Sequence, residues 1–347
     1  MDSKMSRLTF SEAVELLHCG DLPSLGQRAD AVCRQRYSDN VKTYQIERNI
    51  NYTNICISGC KFCAFHCNEN APDAYVIDEK TLLDKIEETV QLGGRQILLQ
   101  GGLHPSLPFD WYENLLRTIK RHYPEINIHG FSPTEIVHFA DHFKMSEPDV
   151  LKRLRDAGLG SIPGGGAEIL VDRVRHIVSP KKARTDRWLN VCRLWFQLGG
   201  RGSATMMLGH LETLEERIEH LRRIRDLQDE VQADGHHGFT SFIPWTFQPN
   251  HTQLADIPKT GSWEYLQFLA VSRLFLDNIP TIQSSWVTQG LSVGALGLSF
   301  GANDLGSIMI EENVVAAAGT VFRSTEQAFC EAIRSAGFEP QRRKILK

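Results

Sequence analysis

The sequence lacks several things that would settle its class quickly. No run of about 18 apolar residues occurs in it, so no membrane-spanning helix is expected. The first ten residues, MDSKMSRLTF, have no apolar signal core, and a cytoplasmic location follows as the expectation. There is no excess of positive charge: 38 Lys and Arg stand against 42 Asp and Glu, a formal net charge of −4, which argues against a nucleic-acid partner. Low-complexity segments and obvious linkers are also missing. What remains is ordinary globular composition, 41% hydrophobic and 23% charged, in 347 residues. That length suits one α/β barrel with an extension. The eight cysteines are unevenly spread, with Cys56, Cys60, Cys63 and Cys67 inside twelve residues. In a cytoplasmic chain such clustering points to metal rather than to disulfides.

Short apolar runs alternate with helical patterns. Residues 10–38 read as two helices, and residues 1–45 as an N-terminal helical extension. Strands are expected at 50–57, 95–99, 126–131, 161–162, 203–208, 239–243, 281–286 and 298–302, with helices between them. Repeated strand–helix pairs predict a parallel sheet with right-handed crossovers, and eight pairs fit a (β/α)8 TIM-like barrel over residues 46–347. A six-strand partial barrel is the alternative. In such barrels chemistry sits at the C-terminal strand ends. The unusual sequences sit there too: Cys56-Ile-Ser-Gly-Cys60-Lys-Phe-Cys63, Gln100-Gly101-Gly102-Leu103-His104, His129-Gly-Phe-Ser-Pro-Thr-Glu135, Pro163-Gly-Gly-Gly-Ala-Glu168, Gly209-His210-Leu211-Glu212, Trp286-Val-Thr288-Gln289 and Asn303-Asp304.

The CxxxCxxC spacing of Cys56, Cys60 and Cys63 suits three thiolates on one face of a [4Fe-4S] cluster, leaving the fourth iron open to another ligand. Cys67 extends the run to C-x3-C-x2-C-x3-C, so a closed four-thiolate cluster or a zinc site using Cys67 or His66 stands beside that reading. Cys19, Cys33, Cys192 and Cys330 lie on helical patterns and read as packed thiols.

The segment Asn51-Tyr-Thr-Asn-Ile-Cys…Lys-Phe-Cys-Ala-Phe65, with Gln100–Pro105 and His129–Glu135, resembles the radical S-adenosylmethionine (SAM) group that holds two menaquinone-pathway enzymes and the F0-synthase component. Ser161–Leu170, Trp286–Gly290, Gly301–Gly306 and Ile310–Val315 look like the cyclic dehypoxanthinyl futalosine synthases within it. Cys67, Ser307-Ile308 and His236-His237 depart from that pattern. The resemblance implies a [4Fe-4S] cluster and SAM as cofactors and dehypoxanthine futalosine as a small-molecule substrate. It further implies a 5′-deoxyadenosyl radical taking the ribose C4′ hydrogen, and ring closure onto the substrate's aromatic ring. An electron donor such as flavodoxin or ferredoxin is expected, with no membrane insertion. Aminofutalosine synthase and F0 synthase are the neighbouring alternatives, and a non-catalytic iron–sulfur or zinc protein the remote one.

Site residues follow from rim position and from the resemblance. Phe62, Gln100, Gly101, Gly102, Glu168 and Arg184 are expected at SAM, with Lys182 beside Arg184 as a further partner for the SAM carboxylate. Trp286, Thr288, Gln289, Asn303 and Glu311 are expected at the substrate. Rearomatisation needs a proton acceptor, for which His104, His129, Glu212 and Asp304 are candidates. Lone histidines at strand ends are more often structural groups than bases, and the Arg342-Arg343-Lys344 cluster reads as a solvated tail.

Overall fold

The computed structural model describes residues 7–19, 21–37 and 40–345. Among the described residues no helix is long and apolar enough to cross a membrane. The described residues form nine strands: β1 Val41–Gln45, β2 Glu47–Asn51, β3 Gln96–Gln100, β4 Asn127–Gly130, β5 Gly202–Leu208, β6 Phe239–Thr246, β7 Thr281–Ile282, β8 Asp304–Ser307 and β9 Glu339–Arg342. Every pairing between them is parallel.

The strands close into a ring. β2 pairs with β3 and β3 with β4. Bridges His129↔Ser161 and Ile162↔Gly202 insert the short 161–162 strand between β4 and β5. β5, β6 and β7 follow, and Gln283↔Asp304 joins β7 to β8. β8 pairs with β1, and the bonds Ile308 N to Gln45 O and Ile310 N to Glu47 O carry that pairing on to β2. Counting β1–β2 as one bent strand gives eight staves, so the (β/α)8 expectation holds.

Local sequence places the crossovers. The helix Glu79–Gln91 starts where Asp78 accepts the Thr81 N–H at 2.8 Å. The helices Pro133–Phe143 and Leu214–Ala233 both begin with reciprocal capping boxes, Ser132 with Glu135 and Thr213 with Glu216. The extension is two helices, Phe10–His18 and Leu22–Arg36, the second packed on Ser262–Phe275.

Three expectations shift. The first strand starts at Val41 rather than Ile50, so Val41–Gln45 already belongs to the barrel wall and the boundary at residue 45 falls inside it. Leu298–Ala302 is not a strand: Gly297–Phe300 is a 3-10 helix ended by Gly301 at φ +91°, where an added Cβ would lie 2.8 Å from the Arg273 side chain. The eighth stave is Asp304–Ser307. Finally, β9 pairs with β1 beneath the point where β3 joins β2. This strand, unanticipated in the sequence, carries Arg343 to the barrel floor.

Candidate functional site

A cavity of about 390 Å³ opens at the C-terminal strand ends and runs down to the floor. Its wall falls into three zones: the cysteine rim, an apolar middle and a polar floor.

At the rim, Cys56, Cys60 and Cys63 all face the cavity. The Ser58 hydroxyl lies 3.0 Å from Cys56 Sγ and 3.2 Å from Cys60 Sγ, and Leu103 N–H donates to Cys56 Sγ at 3.2 Å. Gly59 turns the loop at φ +62°. Burial pushes the Cys60 thiol up to about 11. Among the described residues, no three His, Cys, Asp or Glu side chains converge on a point suited to a single ion. Cys67 is absent from the cavity wall. Its peptide bridges the preceding strand, with Cys67 N–H bonded to Asn54 O at 2.9 Å and Cys56 N–H to Cys67 O at 3.1 Å. His66 is on the wall, with Nδ1 2.8 Å from Cys63 O.

Beside the loop sits the Gln100-Gly101-Gly102 turn. Gly102 N–H bonds Thr53 O, and a Cβ there would meet Ile55 O at 2.1 Å. Glu135 fixes the turn from behind. Its Oε1 accepts from Tyr52 OH at 2.7 Å and Gly101 N–H at 3.2 Å, and its Oε2 accepts from Ser132. Burial raises its pKa against these bonds.

Glu168 faces the cavity from a left-handed backbone, φ +38°. Its Oε1 accepts from Lys182 Nζ at 2.8 Å, whereas its buried Oε2 has no partner. The buried Thr134 Oγ1, also on this wall, is likewise unpartnered. Lys182 lies 5.1 Å from the centre of the Phe62 ring. Burial opposes its charge, but Cys60, Glu168 and Cys63 together outweigh it and hold the ammonium above its ordinary range. Non-glycine residues with positive φ recur at this rim, at Phe131, Glu168 and Met309. Such strain collects where a fold presents functional groups.

The middle zone is lined by Leu98, Ile243, Trp245, Val287, Met309 and Val315. The floor is polar. Glu47 Oε1 accepts from Gln96 at 2.6 Å, Gln96 from Asn127 at 2.6 Å, and Asn127 also donates to Ser161. His129 spans Ser161 Oγ at 2.7 Å and Ser203 Oγ at 3.3 Å. Burial, then Arg343, lowers its pKa to about 3, so the ring is neutral. Arg343 pairs with Asp304 at 2.9 Å and lies 3.9 Å from Glu47. Burial raises Glu47 to about 7, with Arg343 opposing and Asp304 adding.

The structure therefore brings together Cys56, Cys60, Cys63, Phe62, Gln100, Gly101, Gly102, Glu168, Lys182, His129 and Thr288 on one wall. The other expected residues lie off it. His104 Nδ1 accepts the Ser106 and Leu107 N–H groups. Glu212 accepts from the Gly209 and His210 backbone and pairs with Arg217 at 2.9 Å. Asp304 holds Arg343 and Thr43 below the wall. Arg184 is the exposed N-cap of the helix Thr185–Gln197. Trp286 is buried with its N–H on Ser307 O, Gln289 reaches Thr246, and Asn303 accepts from Arg273. Glu311 is taken by Lys85 and Arg48. Glu47 and Arg343 line the cavity but were not found by rim position, and Glu135, the last residue of the His129–Glu135 rim motif, was not among the expected site residues. Glu135 had a signal in the Ser132…Glu135 capping box. Arg343 had none.

The chain was compared with known proteins. Residues 50–224 match the Radical SAM superfamily, and residues 236–346 match the CofH/MqnC C-terminal region. A cyclic dehypoxanthine futalosine synthase of Halalkalibacterium halodurans is 44% identical over 97% of this chain and 90% of its own length. One from Streptomyces coelicolor is 43% identical over 97% and 84%. An aminodeoxyfutalosine synthase of Thermus thermophilus is 37% identical over 98% and 91%. Among solved structures, methylornithine synthase superposes with a TM-score of 0.76 at 19% identity, covering 97% of this chain and 95% of that one.

Proposed function

From the premise that the chain belongs to the radical SAM family, in the branch with the cyclic dehypoxanthine futalosine synthases, we propose that it converts dehypoxanthine futalosine into its cyclic form on the route to menaquinone. The family implies a [4Fe-4S] cluster and SAM. The observation that carries the reading is a shared wall: three cysteine thiols, a backbone turn free of side chains and an unpartnered carboxylate oxygen all face one cavity.

The residues present fit both groups. Cys56, Cys60 and Cys63 supply three thiolates, and Cys67 stands apart from them, which supports a cluster with one iron open. Gly101 and Gly102 let this turn pack tightly on Tyr52 and Ile55, where a Cβ would lie 2.5 Å and 2.1 Å away, and so hold it on the cavity wall beside the cysteine loop. Glu168 Oε2 and Thr134 Oγ1 are buried polar atoms that need partners, and ribose hydroxyls of SAM supply them. Bound together, cluster and SAM supply the one-electron chemistry that lets a substrate hydrogen be abstracted. The protein positions, shields and accepts a proton. Phe62 and Lys182 close one side of the cofactor zone. The apolar middle, with Trp245, suits the substrate's aromatic ring.

For the proton that leaves on rearomatisation, Glu47, whose burial raises it to about 7, is the acceptor on the polar floor, where Asp304, Glu212 and His104 are occupied elsewhere and His129 is held too weakly basic. The test is anaerobic turnover with SAM and a chemical reductant. Dehypoxanthine futalosine should be consumed with no second organic substrate, yielding one 5′-deoxyadenosine per product. Activity only on an aromatic acid derivative or tyrosine with a second partner would move the chain to a neighbouring branch.

A further inference from the structure

We propose that Arg175 is a positioning residue for the cofactor site, its guanidinium fixing the two segments that bring Glu168 and Lys182 to the cavity. The inference rests on the radical SAM reading above, in which Glu168 Oε2 meets the ribose of SAM.

Arg175 lies on the helix Asp172–Val178, is buried, and does not itself line the cavity. Arginine is almost never fully buried unless paired. Here its hydrogen bonds go to backbone carbonyls rather than to a carboxylate. Nη1 donates to Gly166 O at 3.0 Å, to Ala167 O, and to Ile169 O at 3.1 Å. Nε donates to Ala183 O at 3.1 Å, and Nη2 donates to the same oxygen. Burial opposes the charge, which Glu168 and then Asp172 support. The two lobes of one planar group therefore hold the turn that carries Glu168 and the residue that follows Lys182.

Every carbonyl of the turn 164–169 is engaged. Thr205 Oγ1 donates to Gly164 O at 2.7 Å, Trp188 Nε1 to Gly165 O at 3.2 Å, and Met207 N–H to Glu168 O at 2.8 Å. Arg175 takes the other three. The backbone is thus saturated while Glu168, held at φ +38°, keeps one carboxylate oxygen without a partner. A left-handed non-glycine residue persists only where its surroundings over-determine it. The same guanidinium sets the spacing at which Glu168 Oε1 meets Lys182 Nζ, 2.8 Å. Ordering both segments before SAM arrives removes that ordering cost from binding. A lysine at 175 would keep the charge, but its single ammonium lacks the fork that reaches both segments.

The experiment measures SAM affinity of the reconstituted full chain by anaerobic calorimetry, and amide hydrogen exchange of the metal-free chain. Arg175→Lys should weaken SAM binding about tenfold, the loss of roughly one charge-assisted hydrogen bond, as should Glu168→Gln. The two together should bind no more than about twofold more weakly than Glu168→Gln alone, because Arg175 acts through Glu168. Iron content should match the wild type, since Arg175 makes no bond to the cysteine loop. A purely structural role would lower the Tm and leave the affinity of the folded protein alone. In the wild type without SAM, residues 164–170 and 180–185 should already exchange slowly, and in Arg175→Lys about tenfold faster. Wild-type SAM affinity in folded Arg175→Lys, effects that multiply in the double variant, or fast exchange of these residues in the wild type would each overturn the proposal. Arg175→Gln is the second variant should Arg175→Lys not fold, and the wild-type exchange measurement needs neither. If the reconstituted wild type binds no SAM, it is the proposed function that fails, while exchange in the metal-free chain still tests the clamp.

Discussion

The contact most easily broken by one atom is that between Gly102 and the strand leading to the cluster loop. A Cβ at position 102 would lie 2.1 Å from Ile55 O, 2.7 Å from Ile55 C and 2.8 Å from Cys56 Cβ. All three are backbone or backbone-fixed, so no flexible side chain gives way. Relief needs the chain at Ile55–Cys56 to retreat by about 1 Å, at a cost in the range of overpacked cores, about 2–3 kcal/mol. With an unfolding entropy of about 2.1 cal/mol/K per residue, a chain of this size loses about 3–4 °C in Tm for that cost. The same retreat carries Cys56 away from Cys60. Gly102→Ala should therefore lower the Tm of the metal-free protein by that amount and hold less than half the wild-type iron after anaerobic reconstitution. Gly59→Ala is the control. Gly59 sits at φ +62° with nothing within 4 Å of an added Cβ, so it bears only left-handed strain, about 1 kcal/mol. A Gly102→Ala protein with full iron and a Tm no lower than Gly59→Ala would refute the reasoning.

Three further outcomes are expected. Alanine at Cys56, Cys60 or Cys63 should each abolish the visible absorbance and iron content of the reconstituted protein, whereas Cys67→Ala should retain both, because Cys67 is off the cavity wall. Glu47 has a folded pKa raised to about 7 by burial, so the stability it lends is present below about pH 4.5 and lost as pH rises through 7, up to about 3 kcal/mol. Thermal melts should show Glu47→Gln gaining on wild type between pH 5 and pH 8; parallel curves would contradict this. Glu212→Ala strands the buried Arg217 and His210, and should cost about 3 kcal/mol in denaturant melts while SAM affinity of the folded protein, read by calorimetry, stays unchanged.

The cluster loop and the alternation of strands and helices were legible because they depend on spacing and on apolar runs. Part of what was not legible has one physical cause. Glu47, Asn49 and Asn51 are buried on the cavity wall, although residues 41–49 lay outside every expected strand. A barrel that encloses a polar cavity puts hydrogen-bonding side chains where a packed core would put valine, and the apolar alternation that marks strands disappears. Asp304 and Ser307 hide β8 in the same way. Arg343 reads as part of a basic tail because nothing local says that β9 runs beneath the barrel. Rim position also has a limit. It locates a strand end but not the direction of the side chain, so Glu212 and His104 turn back to cap their own loops while Glu168 faces the cavity.

In the four-cysteine run, backbone bonds separate the role of Cys67 from that of the other three. A closed cluster or a zinc site needs the fourth thiol to share a wall with the other three. Here Cys67 donates to Asn54 and accepts from Cys56, two bonds that hold its peptide as a rung beside the strand that delivers the loop. His66, the other spare ligand, is on the wall with its Nδ1 engaged with Cys63 O, which leaves Nε2 as its ligating atom. Three of the four cysteines line the cavity, and the backbone of the fourth anchors the loop that presents them.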